Sequence, residues 1–556
     1  MQRRIKYLPS IVIAFVVAVA FCAPTLSLAE SEDLWLAGAS ATVTPTSNWP
    51  DYSCIRCHMN VTPGIVTQYL SGAMGMPGVQ NPDVASRLGG MDRAPCTACH
   101  GSDHTDFDDW REARLPDHNT CRACHYEQVE QFLAGKHALA WKAMKAMPMT
   151  QKMPKEELLF GCGGCHKIGV KEPQELLDLG LPRPYGIGAT CDQCHTRHAF
   201  SAYEARKPEA CAKCHMGFDH PQWEMWSTSK HGNIYFIHRD EYPFNVSLKY
   251  VKPSDYPGPT CQLCHMPKGN HTVLTPWGFI ALVGFAGRPS GLEIVNDPEW
   301  EQAKAEVLKA LRVLDPEGNP TQILDAVLEL RVVRISPEEF MHERMKLLNV
   351  CSGCHSKDFA LNYLKAADEV IRHTTLQLAE AILAVKEARE AGVLPPRPNE
   401  PDNPYPFLLN FYEEPSGVER EVWLLFLEYR MRAFQGMFHV NPDYTHWYGW
   451  SQVRRAVEDV KEDVALAARL SNIEQAVAHV KEQAKGVPET RATTVTVTTT
   501  IVKPTVTERT FATTVTTVVE RVSTRAFMAA VGVAAAVAVI AVYAVYVLLL
   551  RPRMKS

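Results

Sequence analysis

The chain has 556 residues and a formal net charge of −5 at pH 7, with acidic and basic residues interspersed along it. Proteins that bind nucleic acid carry clustered positive charge. The charge pattern shows no such footprint, so we expect no nucleic-acid partner. Sixteen of the 17 cysteines belong to one repeated pattern, and the remaining one, Cys22, lies in an apolar leader. No cysteine is left to form a disulfide.

The N-terminus has the features of a secretory signal. Three basic residues precede an apolar run over residues 11–20, and Ser27, Leu28 and Ala29 resemble a cleavage site. We therefore predict a signal peptide over residues 1–29 and export of the rest of the chain. An uncleaved N-terminal anchor is the alternative, although the apolar run is short for a membrane span.

The repeated pattern is Cys-x-x-Cys-His, which occurs eight times and attaches c-type haem through two thioether bonds and a histidine ligand to iron. Zinc ribbons and Cys-x-x-Cys redox centres are the alternatives, but neither requires a histidine directly after the second cysteine. We predict eight covalently attached haem c groups. The residues that hold them are Cys54, Cys57 and His58; Cys96, Cys99 and His100; Cys121, Cys124 and His125; Cys162, Cys165 and His166; Cys191, Cys194 and His195; Cys211, Cys214 and His215; Cys261, Cys264 and His265; and Cys351, Cys354 and His355.

Of the 21 histidines, eight belong to the motifs and 13 lie elsewhere, which is enough for bis-histidine ligation of most irons. An iron with two histidine ligands is saturated and suits electron transfer, whereas an iron with one leaves a position for substrate. For any single histidine, a surface or hydrogen-bonded role is the alternative. The predicted iron ligands outside the motifs are His104, His118, His137, His198, His231, His271 and His342.

The segment from Met216 to Asn233, after the sixth motif, is rich in polar and aromatic residues. It contains Asp219 next to His220, and an adjacent acid and imidazole can relay protons. Oxidation of a small nitrogen hydride at iron releases protons, so it requires a general base near an open iron. The alternative is that Asp219 caps a helix and His220 is an ordinary axial ligand.

The sequence predicts a mainly α-helical fold. The motifs follow no fixed period, which argues against a solenoid of equal repeats, and Gly, Pro and polar runs between them indicate loops and short helices. We expect residues 30–355 to form a multihaem cytochrome c head with a haem-packed core. Apolar residues at three-to-four spacing then predict a bundle of long helices over 356–486, which pack within one chain or against another subunit. These helices are expected at 356–391, 418–440 and 450–485.

The C-terminal part changes in composition. Residues 487–525 are dominated by Thr and Val, whose branched side chains disfavour helix, so we predict an extended stalk; a β-strand pair packed on the head is the alternative. Residues 526–550 form an uncharged apolar stretch long enough to span a bilayer, with a buried core helix as the alternative. Basic residues follow it, and positive charge favours the cytoplasmic side. We therefore predict a single-pass cell-membrane anchor, a cytoplasmic tail over 551–556 and a head on the outer face.

In these motifs the chain resembles the octahaem hydroxylamine oxidoreductase family, which includes hydrazine dehydrogenases and reductive octahaem relatives. The resemblance implies seven bis-histidine haems and one modified, five-coordinate catalytic haem on the fourth motif, held by Cys162, Cys165 and His166. It rests on the order of the eight motifs and on the segments Cys191–His198, Met216–Gly232, Cys261–Pro267 and Asn441–Trp450.

The resemblance also implies residue roles. Asp219 and His220 correspond to a pair that transfers protons and positions the substrate. Tyr444, with Tyr448 second, corresponds to a tyrosine that a neighbouring subunit crosslinks to the catalytic haem in oxidative members, which implies a homotrimer. Because these tyrosines are present, we expect oxidation of hydroxylamine to nitric oxide or nitrite. The predicted catalytic residues are His166, Asp219, His220 and Tyr444.

Two other functions are compatible with this sequence. Relatives that lack the tyrosine tend to reduce nitrite or hydroxylamine, with ammonia as the product. A non-enzymatic electron conduit would instead carry eight six-coordinate haems. The expected redox partner is a cytochrome or a quinone-linked membrane protein, because the predicted anchor holds the head at the membrane face.

Overall fold

The structure is a computed structural model that describes residues 47–49, 51–75, 93–172, 174–175, 190–246, 248, 250–282, 297–333, 336–410, 416–484, 493–498 and 514–519. The chain divides into two compact units, Met1–Ala468 and Arg469–Ser556. The predicted signal peptide and the predicted membrane helix over 526–550 lie outside the described residues. Within the described part of the chain, no helix is both long and apolar enough to cross a membrane.

The mainly α-helical fold predicted from the sequence is confirmed, and the motif region consists of short helices and loops. Its α-helices are Tyr52–Val61, Pro63–Ser71, Cys96–His100, His118–Arg122, Tyr126–Ala134, Ala140–Ala146, Lys155–Glu157, Gly163–His166, Ala202–Ala205, Glu209–Ala212, Gln222–Ser227, Lys230–Ile237 and Cys261–His265. Short 3₁₀ turns lie at Trp110–Glu112, His137–Leu139, Thr150–Lys152, Cys191–Gln193, Arg239–Glu241, Pro253–Asp255 and Pro267–Gly269, and a π turn at Leu158–Cys162.

Each motif forms about one helical turn, and the backbone shows why. The N–H groups of His125, His195, His215 and His355 donate to the carbonyl of the first cysteine of their own motif at 2.9–3.0 Å. This is the i to i−4 bond of an α-helix, which brings residues four apart onto one face. The turn therefore holds the first thiol and the histidine side by side, as one porphyrin ring requires.

Longer helices follow the seventh motif. Lys357–Glu390 begins at Ser356, whose side chain accepts a hydrogen bond from the Phe359 N–H, a typical N-cap. The three predicted long helices are present at the predicted places, since the second is continuous from Gly417 to Phe438 and the third from Tyr444 to Ala484. The helices and π turns of this region are Pro298–Ala310, Ile323–Glu329, Pro337–Cys351, Lys357–Glu390, Gly417–Leu424, Leu425–Tyr429, Arg430–Phe438, Tyr444–Trp450 and Ser451–Ala484.

The largest apolar core lies among these long helices. Leu378, Ile382 and Val385 on one helix are fully buried together with Val422 and Phe426 on the next. Their three-to-four spacing places them on one helix face, as the sequence pattern predicts. Each such side chain contributes roughly 2 kcal/mol of hydrophobic stabilisation. The long helices therefore form a protein core of their own apolar side chains.

Part of the Thr- and Val-rich segment forms strands. Thr493–Thr498 and Thr514–Val519 pair as an antiparallel two-stranded sheet, with Thr493 opposite Val519 and Thr498 opposite Thr514. The backbone there is extended, as β-branched residues favour.

Candidate functional site

Seven of the eight motif histidines face a second histidine across a gap. The ring centroids of the facing pairs lie 6.0–6.5 Å apart. The pairs are His58 with His104, His100 with His198, His166 with His220, His195 with His271, His215 with His137, His265 with His439, and His355 with His231.

This spacing fits a haem iron between the rings. A metal–imidazole bond is about 2 Å long and the ligating nitrogen lies about 1 Å from its ring centre, so two imidazoles on one iron have centroids roughly 6 Å apart. Burial also lowers the pKa of His195 to about 4 and that of His265 to about 3. The neutral imidazole is the form that binds metal. The residues present therefore fit haem c at these motifs.

Hydrogen bonds orient several of these rings. The Nδ1 atoms of His100, His166 and His439 lie 2.7–3.0 Å from backbone carbonyl oxygens, which can only accept. Nδ1 must therefore carry the proton, and Nε2 is left with the lone pair that binds iron. On the distal side of the first motif, the His104 Nδ1 likewise donates to Asp109 at 2.7 Å.

The cysteines of different motifs lie beside one another. In three pairs the thiols lie close enough for one to shift the pKa of the other: Cys121 with Cys191, Cys165 with Cys214, and Cys211 with Cys261. Four further pairs interact electrostatically, namely Cys54 with Cys96, Cys99 with Cys124, Cys194 with Cys211, and Cys264 with Cys351. These seven contacts join all eight motifs into one connected path, in which the sixth motif contacts the fourth, fifth and seventh.

The fourth motif rests on a buried tryptophan. His166 ends the helix Gly163–His166, and its Nδ1 donates to the Ala140 carbonyl at 2.9 Å. The backbone of Gly169 approaches the backbone of Trp141 so closely that a Cβ on Gly169 would lie 2.1 Å from the Trp141 backbone nitrogen. Only glycine permits this contact, which fixes the proximal histidine against a rigid support.

Asp219 and His220 lie opposite the fourth motif. The His220 Nδ1 donates to the Asp219 carboxylate at 2.7 Å, and the His220 and His166 ring centroids are 6.5 Å apart. Burial opposes ionisation of Asp219, but the hydrogen bond from His220 and the charge of that ring lower its pKa. The next helix begins at Gln222 after Pro221, so Asp219 is not its cap. The pair can accept a proton at Nε2 while the carboxylate stabilises the charged ring.

Contacts with a distant helix hold the Asp219 loop. The Gln222 amide donates to the Gln435 side chain at 2.8 Å, and Arg432 donates to the Phe218 carbonyl at 3.3 Å. Gln222 also lies 3.2 Å from Nδ1 of His215. The helix Arg430–Phe438 thus links the fourth motif's distal side to the sixth motif, over more than 200 residues of sequence.

Tyr444 lies in a π turn that is packed tightly on the same helix. A Cβ on Gly449 would lie 2.4 Å from the Cα of Ala433, so this crossing requires glycine. The Asn441 side chain donates to the Met225 carbonyl at 2.7 Å and accepts from the Tyr444 N–H at 3.1 Å. The Tyr444 ring stacks on Tyr448 with centroids 4.9 Å apart. Asn441 therefore joins the Tyr444 turn to the helix that follows His220.

The structure brings together most of the predicted iron ligands, but not all of them. His104, His137, His198, His231 and His271 each face a motif histidine, whereas His118 and His342 form no such pair within the described residues. His439 faces His265 at 6.4 Å and was not among the predicted ligands. Its position within the aromatic and polar cluster Phe438–Trp450 was the available signal, because such a cluster suits a haem edge.

A family model described as seven times multi-haem cytochrome CxxCH matches residues 92–279. The chain is 27% identical, over 497 residues, to a probable nitrite reductase-hydroxylamine oxidoreductase fusion protein of Kuenenia stuttgartiensis, covering 76% of this chain and 52% of that protein. The chain thus spans about half the length of that relative.

Two solved structures share the fold. One is the reducing HAO-like protein complex Kustc0457/Kustc0458 of Kuenenia stuttgartiensis, with a TM-score of 0.57, 24% identity and coverage of 78% of this chain and 90% of that one. The other is a hypothetical multiheme protein, with a TM-score of 0.57, 21% identity and coverage of 81% and 100%.

Proposed function

Because the chain is a multihaem c-type cytochrome related to hydroxylamine oxidoreductase-like proteins, we propose that it is an oxidoreductase that oxidises hydroxylamine at its fourth motif. The observation that carries the proposal is the Asp219 and His220 pair, which lies directly across from His166. A carboxylate and an imidazole can remove protons from a substrate bound to the fourth-motif iron. Because the two rings lie 6.5 Å apart, the His220 ring would have to move away from the iron to admit that substrate.

In this proposal, each residue at the fourth motif has its own role. Haem c supplies one-electron redox chemistry and, where an axial position is open, a place for a small ligand. His166 fixes the proximal side through its bond to Ala140. His220 accepts substrate protons at Nε2, and Asp219 holds the ring by Nδ1 and stabilises its positive charge. Oxidation of hydroxylamine to nitric oxide releases one proton with each electron, so a resident base is needed throughout.

Electrons leave the fourth motif through the sixth. Cys165 lies close enough to Cys214 to raise its pKa, and the sixth motif in turn lies beside the fifth through Cys194 and beside the seventh through Cys261. This connectivity supports a branched electron-transfer path through eight haem c groups. Electrons could leave it at the first motif or at the eighth.

We also propose the family's oligomeric arrangement for this chain. In a homotrimer, the Tyr444 turn of one subunit would reach the fourth motif of its neighbour and crosslink to a modified, five-coordinate haem. The exposed Trp447, Tyr448 and Trp450 side chains beside Tyr444 support an interface there, because large exposed apolar groups favour protein contacts.

The proposed location follows from the sequence. A signal peptide over 1–29 and an anchor over 526–550 would hold the head on the outer face of the cell membrane, with the last six residues in the cytoplasm. A cytochrome or a quinone-linked membrane protein would then accept the electrons.

A second candidate function is an electron conduit without an active site. The separation of His166 and His220 lies close to those of the other six pairs, which favours a saturated fourth iron. Reduction of nitrite or hydroxylamine is the third candidate, and the name of the Kuenenia relative, which joins nitrite reductase to hydroxylamine oxidoreductase, favours it.

The test is anaerobic mixing of the oxidised, full-length holoprotein with hydroxylamine. We expect rapid reduction of the haems, seen as growth of the ferrous c-type absorption bands. Absence of hydroxylamine-dependent reduction would overturn the proposal. Reduced holoprotein that is reoxidised by nitrite with formation of ammonia would favour the reductive function, and inertness towards both substrates would favour the conduit.

A further inference from the structure

Arg430 is a fully buried cation at the start of the helix Arg430–Phe438. Its Nη2 donates to the carbonyls of Ile280 at 2.9 Å and Ala281 at 3.4 Å, and to the Thr375 hydroxyl at 3.1 Å. Among the residues that the structure describes, no acidic side chain pairs with the guanidinium, and Nε and Nη1 find no acceptor. A buried charge without a counter-ion lowers stability, so its presence requires an explanation.

The two carbonyls that Arg430 binds belong to a strained β-turn over residues 278–281. The Ala281 N–H closes the turn by donating to the Gly278 carbonyl at 2.9 Å, and Ala281 has a φ of 55°, which non-glycine residues rarely adopt. On one side, the Ile280 N–H donates to the Val332 carbonyl at 3.0 Å. Arg430 holds the turn from the side of the long helices, so the two contacts together fix its position.

This turn places Phe279 against His220. The two ring centroids lie 5.9 Å apart with 32° between the ring planes, so Phe279 covers one face of the imidazole. Asp219 holds the same imidazole at Nδ1, and the His166 ring lies 6.5 Å away from it. A small ligand can reach the fourth-motif iron only if His220 moves, and Phe279 opposes movement towards the face that it covers.

We propose that Arg430 is a positioning residue for the fourth motif, which holds the turn over 278–281 so that Phe279 restrains His220 and limits the access of small ligands to the iron. An apolar side chain would fill the same space, but it could not donate to two carbonyls, which accounts for a charged residue here. The inference rests on the proposed function in one respect, because it concerns access to the iron at which that function places the substrate.

The test is the rate at which carbon monoxide binds to the dithionite-reduced, full-length holoprotein, measured by stopped-flow absorbance. Carbon monoxide binds a ferrous haem only where an axial position is open or its ligand is displaced. We expect Phe279→Ala and Arg430→Met to bind it about 10-fold faster than the wild type, because loss of an aromatic contact makes displacement of His220 easier. Arg430→Lys should bind it at a rate near that of the wild type, because a lysine keeps a charged donor for the carbonyls.

Two control variants separate positioning from a general loss of stability. Arg344→Met removes another buried guanidinium, which pairs with Asp368 away from the fourth motif. Phe359→Ala removes an aromatic ring that lies 5.2 Å from a different motif histidine, His355. Both controls should bind carbon monoxide at the wild-type rate, even where they lower the free energy of unfolding.

Wild-type rates of carbon monoxide binding in both Phe279→Ala and Arg430→Met would overturn the inference. If Arg430→Met does not assemble, Thr375→Val takes its place, since it removes the hydroxyl that accepts from Arg430. Faster binding in Thr375→Val would then support the inference, and the wild-type rate would overturn it. Hydroxylamine plays no part in these measurements, so the inference and the proposed function can fail independently of each other.

Discussion

The imidazole of His220 faces that of His166 with ring centroids 6.5 Å apart, the longest of the seven separations. The same arrangement of side chains recurs at the first motif, where His104 faces His58 and donates from Nδ1 to Asp109 at 2.7 Å. Since both pairs have this geometry, the assignment of His104 to iron ligation and of His220 to proton transfer is our proposal, made from the family resemblance. A histidine that ligates iron and one that transfers protons should respond differently to substitution of their surroundings.

Asp219→Asn should slow hydroxylamine-dependent haem reduction about 100-fold or more, because the amide no longer stabilises a protonated His220. Haem content and the spectrum of the resting protein should stay unchanged. Stopped-flow absorbance measures the rate. The matched control is Glu241→Gln, since Glu241 accepts from the His238 Nδ1 at 2.8 Å and neither residue faces a motif. Equal rates in the two variants would count against a proton-transfer role for Asp219.

His439→Ala should add one high-spin iron per chain, because it removes the ring that faces His265. The haem should stay attached through Cys261 and Cys264. Electron paramagnetic resonance of the oxidised protein measures the spin state. His373→Ala, an exposed histidine on the helix Lys357–Glu390, serves as the control and should leave the spin count unchanged. An unaltered spectrum for His439→Ala would show that another group ligates this iron.

Tyr444→Phe should abolish a covalent link between the fourth-motif haem peptide and a second peptide. In the wild type, mass spectrometry of a proteolytic digest should find the Cys162 and Cys165 haem peptide joined to the peptide that contains Tyr444. Tyr448→Phe should retain the link, since the two rings stack but only Tyr444 is assigned to the crosslink. A wild-type digest without any linked peptide would favour the reductive function.

Glu419→Gln should lower the free energy of unfolding by roughly 3 kcal/mol. Glu419 is fully buried and forms ion pairs with Arg389 at 2.6 Å and Arg397 at 2.8 Å, so its loss leaves two buried guanidinium groups without their shared anion. Denaturant unfolding followed by far-ultraviolet circular dichroism measures the change. Glu390→Gln, which removes the exposed partner of Lys386, should change the stability by less than about 0.5 kcal/mol.

Local patterns in the sequence predict much of this structure. Apolar spacing predicts the helix Lys357–Glu390 to within a residue or two, because buried positions such as Leu378 and Ile382 recur with the helical period. The Cys-x-x-Cys-His spacing predicts the haem attachment sites for a similar reason, since all the groups lie within one turn. The adjacency of Asp219 and His220 is likewise visible in the sequence.

Long-range relationships are not predictable in this way. His439 reaches His265 only because the helix Arg430–Phe438 packs beside the sixth motif, through contacts such as that between Gln222 and Gln435. No periodic pattern links residues so far apart in sequence. Counting histidines likewise shows that enough ligands exist, but not which motif each of them faces.

The most direct test of the central claim is a density map of the full-length holoprotein treated with hydroxylamine, in which the fourth-motif iron and the Nε2 atom of His220 are located. We predict that Nε2 lies well beyond the bonding distance of about 2 Å and that density for the small ligand lies between Nε2 and the iron. A direct bond between the iron and Nε2 of His220, with hydroxylamine present and no ligand density, would contradict the claim.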